Sequence, residues 1–279
     1  MKYSPKQIQS FFTKELSLAL RIGIGAMSLS LILLPFNYFL AAFVLLLFIV
    51  LCFTAPFLPG FSFFLPIVSR GRSDRGAVAV TFDDGPDPAS TPKLLALLSK
   101  YETKATFYVT GRRAEQYPHL VREIVSCGHT IGNHTYSHDN FIMFKSENTL
   151  KEEIQRAQQV LHRLGIFPCT FRPPVGVTSP RLNSVLKQLN MYVVNFSRRA
   201  GDRGNRQVCH LAQKIIKNLR PGDIIMLHDI PPRKKKMDRH WLVEVERLLK
   251  GIGELNLKIA PLAELIDRPV MADSESDRK

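Results

Sequence analysis

Cysteine is scarce and unpaired in this 279-residue sequence. Cys52, Cys127, Cys169 and Cys209 are scattered with no paired spacing, so they form no cysteine metal or redox motif. They read as buried thiols and say little about compartment. Acidic residues are also in the minority, 24 against 38 lysines and arginines, for a formal net charge of +14. Such an excess suits an anionic partner, but no motif of interleaved aromatic and basic residues accompanies it, which sets nucleic acid aside. There is no internal repeat. A retained anchor is expected over a cleavable leader: a signal peptide has one short apolar core and a small-residue cleavage site, whereas this chain has two apolar runs followed by bulky Phe57, Phe61, Phe63 and Phe64.

The two runs are the first positive feature. Leu16 to Leu34 is apolar apart from Arg21 and small residues, and after Pro35, Phe36 and Asn37 a second run extends from Tyr38 to Leu58. Each is close to the length that crosses a bilayer. A buried hairpin of a soluble protein would need a polar face for water, and these runs have none. Residues 1–68 are therefore expected to be a membrane anchor of one or two transmembrane helices. Lys2, Lys6, Lys14 and Arg21 precede the pair and Arg70, Arg72 and Arg75 follow it. A hairpin with both ends cytoplasmic satisfies the positive-inside bias; a single span from Tyr38, with the first run at the interface, would instead put the domain outside. The densest charge cluster, Arg233 to Lys236, is either a solvated loop or a surface for anionic lipid headgroups or a lipid phosphate.

Residues 69–76, polar, basic and glycine-containing, read as a linker. From 77 to 270 short apolar runs alternate with helical patterns, the signature of a β/α domain with a parallel sheet. Expected strands are Ala77 to Phe82, Ala105 to Val109, Thr130 to Ile131, Cys169 to Phe171, Met191 to Val194, Ile224 to Leu227 and Leu257 to Ile259. Expected helices are Thr91 to Tyr101, Arg112 to Cys127, Thr149 to Leu164, Pro180 to Leu189, Gln207 to Leu219 and Trp241 to Lys250. The fold class is α/β, a distorted barrel of about seven strands preceded by the transmembrane region. The polar end, 271–279, is expected to be a disordered tail.

Candidate chemistry collects at strand ends. Asp83 and Asp84 close the apolar run from Ala77, and a Gly-Pro turn after them can bring both acids to one mouth, where one carboxylate could hold a metal and the other take a proton. His134 and His138 follow the strand at Thr130, and their spacing suits one face of a helical turn. With a carboxylate they make a recurrent divalent-metal set. Arg172 follows the strand from Cys169 and is held by rigid prolines. His228 ends the strand from Ile224, where a β/α barrel keeps its site.

The order and content of these clusters resemble the polysaccharide deacetylases of carbohydrate esterase family four, over about Ala77 to Ile266. The matching pieces are TFDDGPD at Thr81 to Asp87, GHTIGNHTYSH at Gly128 to His138, FRPPVG at Phe171 to Gly176, NFSRRAGD at Asn195 to Asp202 and MLHD at Met226 to Asp229. The resemblance implies a divalent transition metal, zinc by preference, on Asp84, His134 and His138. It implies Asp83 as general base, Arg172 as the cation that keeps Asp83 charged and aimed, and His228 as the acid for the departing amine, oriented by Asp202. Pro173, Val175 and Leu227 would meet substrate, with a backbone N–H near Val175 stabilising the oxyanion. Where the family usually has tyrosine this chain has Val175, and where it usually has tryptophan this chain has Phe196 and, after Asp202, Arg203.

The implied reaction is hydrolysis of an N-acyl group, acetyl by default, from an amino sugar in a membrane-proximal glycan or a lipid-linked saccharide. The implied location is a bacterial inner membrane, with the side of the domain open and no obligate protein partner. The competing reading is a silent glycan-binding or scaffold protein that keeps the fold.

Overall fold

The structure is a computed structural model, and it describes residues 16–272. The flanking Lys2, Lys6 and Lys14, and 273–279 of the tail, lie outside the described residues. Among the described residues there are eleven strands: β1 (Ile67–Val68), β2 (Ala77–Asp83), β3 (Thr106–Val109), β4 (Thr130–Asn133), β5 (Phe167–Pro168), β6 (Thr170–Phe171), β7 (Tyr192–Val194), β8 (Arg198–Arg199), β9 (Ile224–His228), β10 (Lys258–Ile259) and β11 (Met271–Ala272). A parallel sheet runs in the order β1-β7-β6-β4-β3-β2-β9-β8, with β10 beside the start of β2. β1 and β8 end it without meeting each other, so the barrel is a curled, open one. All seven expected strands occur, and β1 and β8, each of two residues, were not legible as runs.

β2 is buried along its whole length, and its two faces have different tasks. Val78, Val80 and Phe82 turn outward into a core shared with Leu94, Leu98, Ile124, Leu161, Trp241 and Leu248 of the surrounding helices. Ala77 and Ala79 turn inward, with Tyr108, Tyr192 and Met226. Alternation therefore sends Thr81 and Asp83 into the barrel interior as well. The helix Glu147–Arg163 is capped by Ser146 Oγ, which accepts from Thr149 N at 3.2 Å, and buries Leu150, Ile154, Ala157, Val160 and Leu161. The single helix expected from Arg112 to Cys127 is two, Gly111–Gln116 and Pro118–Ser126. Pro118 has no N–H to continue the ladder and pushes Tyr117 out of helical geometry, at φ −127 and ψ 58.

Three boundaries move. The stretch expected as a free linker is docked: Gly71 N donates to Gly222 O at 2.8 Å, Arg72 N to Leu265 O at 2.9 Å, and Arg70 meets buried Asp223 at 2.9 Å. β1 pairs with β7, so the domain begins before residue 77, inside the range assigned to the anchor. At the other end Met271–Ala272 pairs antiparallel with Phe167–Pro168, so sheet pairing extends into the expected tail. Of the cysteines only Cys169 is buried, while Cys127 and Cys209 are exposed and Cys52 is half-buried.

The apolar runs fold as helices Leu18–Leu33 and Tyr38–Thr54, turned by Asn37, whose Oδ1 caps Leu40 N at 3.1 Å. Ser30 Oγ donates to Ala41 O at 3.1 Å between them, and the ring of Phe48 lies against Gly23. Most of their leucines and phenylalanines face outward. Tyr38–Phe57, 20 residues at mean hydropathy 2.7, is long and apolar enough to cross a membrane; Leu18–Leu33 is apolar but shorter.

Candidate active site

The inward face of β2 supplies the first carboxylate. Arg172, the residue after β6, is fully buried beneath it. Its Nη1 donates to Asp83 Oδ1 and to Thr81 Oγ1, each at 2.7 Å, while Nε and Nη2 donate to the carbonyls of Val194 and Asn195, each at 3.1 Å. The guanidinium also lies 4.0 Å from the centre of the Tyr108 ring. A charge pair so deep is tolerable only with this degree of hydrogen bonding. Asp83 is thus gripped through Oδ1, and no hydrogen bond among the described residues reaches Oδ2.

Asp84 leaves the strand at φ 74. That left-handed backbone breaks the alternation and turns its carboxylate toward the loop after β4, a conformation that aspartate tolerates better than most non-glycine residues. Asp84 Oδ1 lies 3.1 Å from His138 Nε2 and 3.4 Å from His134 Nε2. His134 Nδ1 is 2.7 Å from the carbonyl of Arg172, so Nδ1 donates and the lone pair stays on Nε2. Asp84 Oδ1 is buried and accepts no hydrogen bond. The three ligand atoms lie within 4.8 Å of one another. A bare carboxylate oxygen and imidazole lone pairs turned to a common point fit a divalent cation. Burial works to raise the Asp84 carboxyl, but the nearby imidazoles of His134, His138 and His228 hold it well below the usual range. Burial and the neighbouring His134 push His138 down, toward the neutral ligand form.

The two histidines do not share a helical turn. Residues 134–139 form a loop with Thr135 at φ 63 and His138 at φ 57, and it is this path that brings the two rings together, tilted, with centroids 4.8 Å apart. Asn133 Oδ1 accepts from Thr135 N at 2.9 Å, and Glu153 Oε2 accepts from Ser137 N at 2.8 Å, fixing the loop on the helix behind it.

Opposite Asp83 across the β2–β9 pair stands His228. Its Nδ1 is 2.8 Å from Asp202 Oδ2. Burial works to lower this imidazole, yet the Asp202 bond and the charges of Asp202, Asp84 and Asp83 raise it to about 9. It therefore carries a proton at neutral pH. The expected pairings of Arg172 with Asp83 and of Asp202 with His228 are both present.

The substrate-contact expectations divide. Val175 is exposed at φ 53 on the loop after Arg172, and Pro173 is buried at the base of that loop. Leu227 is not brought to the mouth: it is 1% exposed and packs with Phe82 on the helix-covered face, because alternation along β9 turns its side chain opposite to that of His228. One buried carboxylate had no assigned task. Asp229 accepts from Ser90 Oγ at 2.7 Å and Thr91 Oγ1 at 2.6 Å, and its own N–H donates to Asp83 O at 2.7 Å, so it clamps both ends of the acidic turn. Its position next to His228 was the available signal. Burial pushes its carboxyl up to about 7.

The polysaccharide deacetylase family profile matches residues 70–194. A peptidoglycan-N-acetylglucosamine deacetylase of Bacillus cereus is 33% identical over 210 residues, 75% of this chain and 73% of its own. A chitooligosaccharide deacetylase of Azorhizobium caulinodans is 34% identical over 172 residues, 61% and 81%. Among solved structures, the Bc1960 peptidoglycan N-acetylglucosamine deacetylase superposes with a TM-score of 0.66 at 29% identity, over 73% of this chain and 94% of that one.

Proposed function

The chain belongs to the polysaccharide deacetylase family, and from that premise we propose that it is a membrane-anchored, metal-dependent hydrolase removing an N-acyl group, acetyl by default, from an amino sugar of a membrane-proximal glycan. The relatives named above act on peptidoglycan N-acetylglucosamine and on chitooligosaccharides, which supports carbohydrate deacetylation as the reaction. The observation that carries the reading is the bare, buried Asp84 Oδ1 converging with two imidazoles beside a separate carboxylate and a protonated histidine.

Asp84, His134 and His138 would hold the metal, zinc by preference; when bound it polarises the acyl carbonyl and acidifies a water. Asp83, aimed by Arg172 through Oδ1, would take the proton of the attacking water on Oδ2. His228, kept protonated by Asp202, gives its proton to the departing amine, which otherwise would leave as a poor, charged fragment. Asp202 holds the proton on the ring and fixes the ring's angle, and so acts through His228. Val175 and Pro173 line the loop where the acyl group enters. A silent glycan-binding protein has no use for both a proton acceptor and a proton donor, so that alternative has no support in the site.

The domain from β1 to β11, residues 67–272, is read as the catalytic unit and the two apolar helices before it as its anchor. Acetate release from an N-acetylated chitooligosaccharide by the purified full chain, before and after removal of metal by a chelator, tests the proposal. Release that needs the metal supports it. Release indifferent to chelation and to Asp84→Ala refutes the metal reading.

A further inference from the structure

The loops around the mouth differ in chemistry on the two sides of β2. Past residue 58 the described chain exposes five large apolar side chains, Phe141, Phe144, Val175, Val243 and Leu255. Three of these, Phe141, Phe144 and Val175, follow His138 and Arg172 on the loops leaving β4 and β6. The ring of Phe144 is 6.3 Å from that of Phe57, at the end of the apolar helix, and Phe57 and Leu58 are themselves 56% and 52% exposed. Pro56 O accepts from Thr178 N at 3.1 Å and Pro59 O from Asn195 Nδ2 at 2.9 Å, tying the anchor to the segments that follow β6 and β7. The outward apolar surface of the hairpin thus meets one rim of the site at Phe57 and Phe144, with the Lys145–Asp139 ion pair beside them.

The other rim is cationic. Beyond β2 the sheet continues to β9 and β8, and their loops carry Arg203, Arg206, Arg233, Lys234 and Lys236, all exposed. Asn205 Nδ2 donates to the carbonyls of His228 at 3.0 Å and Ile230 at 2.6 Å, stapling the first basic loop onto the second. None of the five cations forms an ion pair with a carboxylate among the described residues. Cations with no internal partner, held beside the histidine that meets the sugar, are placed for an anion on the substrate.

We propose that the substrate is an acylated amino sugar joined through a phosphate to a lipid of the membrane that holds the anchor. The inference rests on the deacylase reading above and on the hairpin as that anchor. Phe57, Phe141 and Phe144 seat the mouth at the bilayer surface, where aromatic and aliphatic side chains partition. A phosphate linking sugar to lipid lies at headgroup depth, within reach of cations beside the mouth. The apolar rim accounts for the lipid and the basic rim for the linkage; a soluble or wall-borne glycan calls for neither.

The full chain, reconstituted in phosphatidylcholine vesicles and loaded with zinc, is assayed on three probes. These are N-acetylglucosamine joined through phosphate to a long-chain alcohol, the same sugar and alcohol joined without phosphate, and a soluble N-acetylated chitooligosaccharide. Expected is a kcat/KM about tenfold or more higher on the phosphate-linked lipid than on either other probe. In Arg233→Gln/Lys234→Gln/Lys236→Gln the preference for phosphate should collapse, and in Phe141→Ser/Phe144→Ser turnover of both lipids should fall relative to the soluble sugar. Wild-type enzyme that releases acetate equally from all three overturns the lipid-phosphate inference and leaves the deacylase reading standing. A phosphate preference surviving the triple variant overturns the assignment of the cations. Release from none of the three overturns the deacylase reading, and this inference with it.

Discussion

Replacing Asp202 by asparagine keeps the shape of the side chain and removes the charge that faces His228 Nδ1 at 2.8 Å. In the wild type burial works to lower the imidazole, and it stands near 9 because Asp202, with help from Asp84 and Asp83, more than offsets that. Without the Asp202 charge it should fall back to its ordinary value of about 6.5 or lower. At pH 8 the protonated fraction then drops from about 0.9 to about 0.03, and a step that needs His228 as acid slows about thirtyfold. At pH 6 the two enzymes should differ far less. The assay is kcat for amine release from pH 5.5 to 10, with metal content measured in parallel, and the expected signature is an alkaline limb displaced about two units toward acid. The same residue pair predicts a stability effect. A histidine raised in the folded state contributes stability fully present below about 6.5 and lost as pH rises through about 9, about 3 kcal/mol in all. An alkaline limb that stays in place in Asp202→Asn refutes the assignment of His228 as a proton donor controlled by Asp202.

His134→Ala should lose bound metal by elemental analysis, because it removes one of three converging ligand atoms; wild-type metal content in that variant contradicts the ligand set. Arg172→Met strands buried Asp83 and three other acceptors, and should destabilise the protein by about 3–5 kcal/mol in urea unfolding. A loss below 1 kcal/mol is not compatible with the buried pair. Asp229 has a raised carboxyl, so its folded form holds a proton that the unfolded chain gives up, and stability is lost as pH rises from about 4 through about 7. Asp229→Asn removes that slope, and its melting temperature should gain on wild type across this window; parallel curves refute it.

Much of the domain was legible because β2, β3 and β9 are buried on both faces and so read as continuous apolar runs. The edges were not. Ile67–Val68 sits in a segment whose phenylalanines and leucines look like the end of an anchor, and Arg198–Arg199 has no apolar signal at all. Both pair through backbone groups, which composition does not record. Pro118 was visible, and its effect on Tyr117 could have divided the helix in advance. Residue types at strand ends pointed to Asp83, Asp84, His134, His138, Arg172 and His228 as candidates, but spacing misled on how the histidines meet, since left-handed Thr135 and His138 leave no periodic trace. Leu227 was misplaced by reading its motif without the strand's alternation. The role of Asp229 depends on hydroxyls nearly 140 residues earlier in the chain, a contact that exists only after the sheet has formed.

The division of labour between Asp83 and Asp84 is the centre of the proposed chemistry, and one measurement reaches it. Acetate release from an N-acetylated chitooligosaccharide is followed with zinc-loaded wild type and Asp83→Asn, each with its zinc content determined on the same sample. Asp83→Asn should retain zinc, since Asp84, His134 and His138 are untouched, and release no acetate above background. Turnover equal to wild type by the zinc-bound Asp83→Asn enzyme would contradict it.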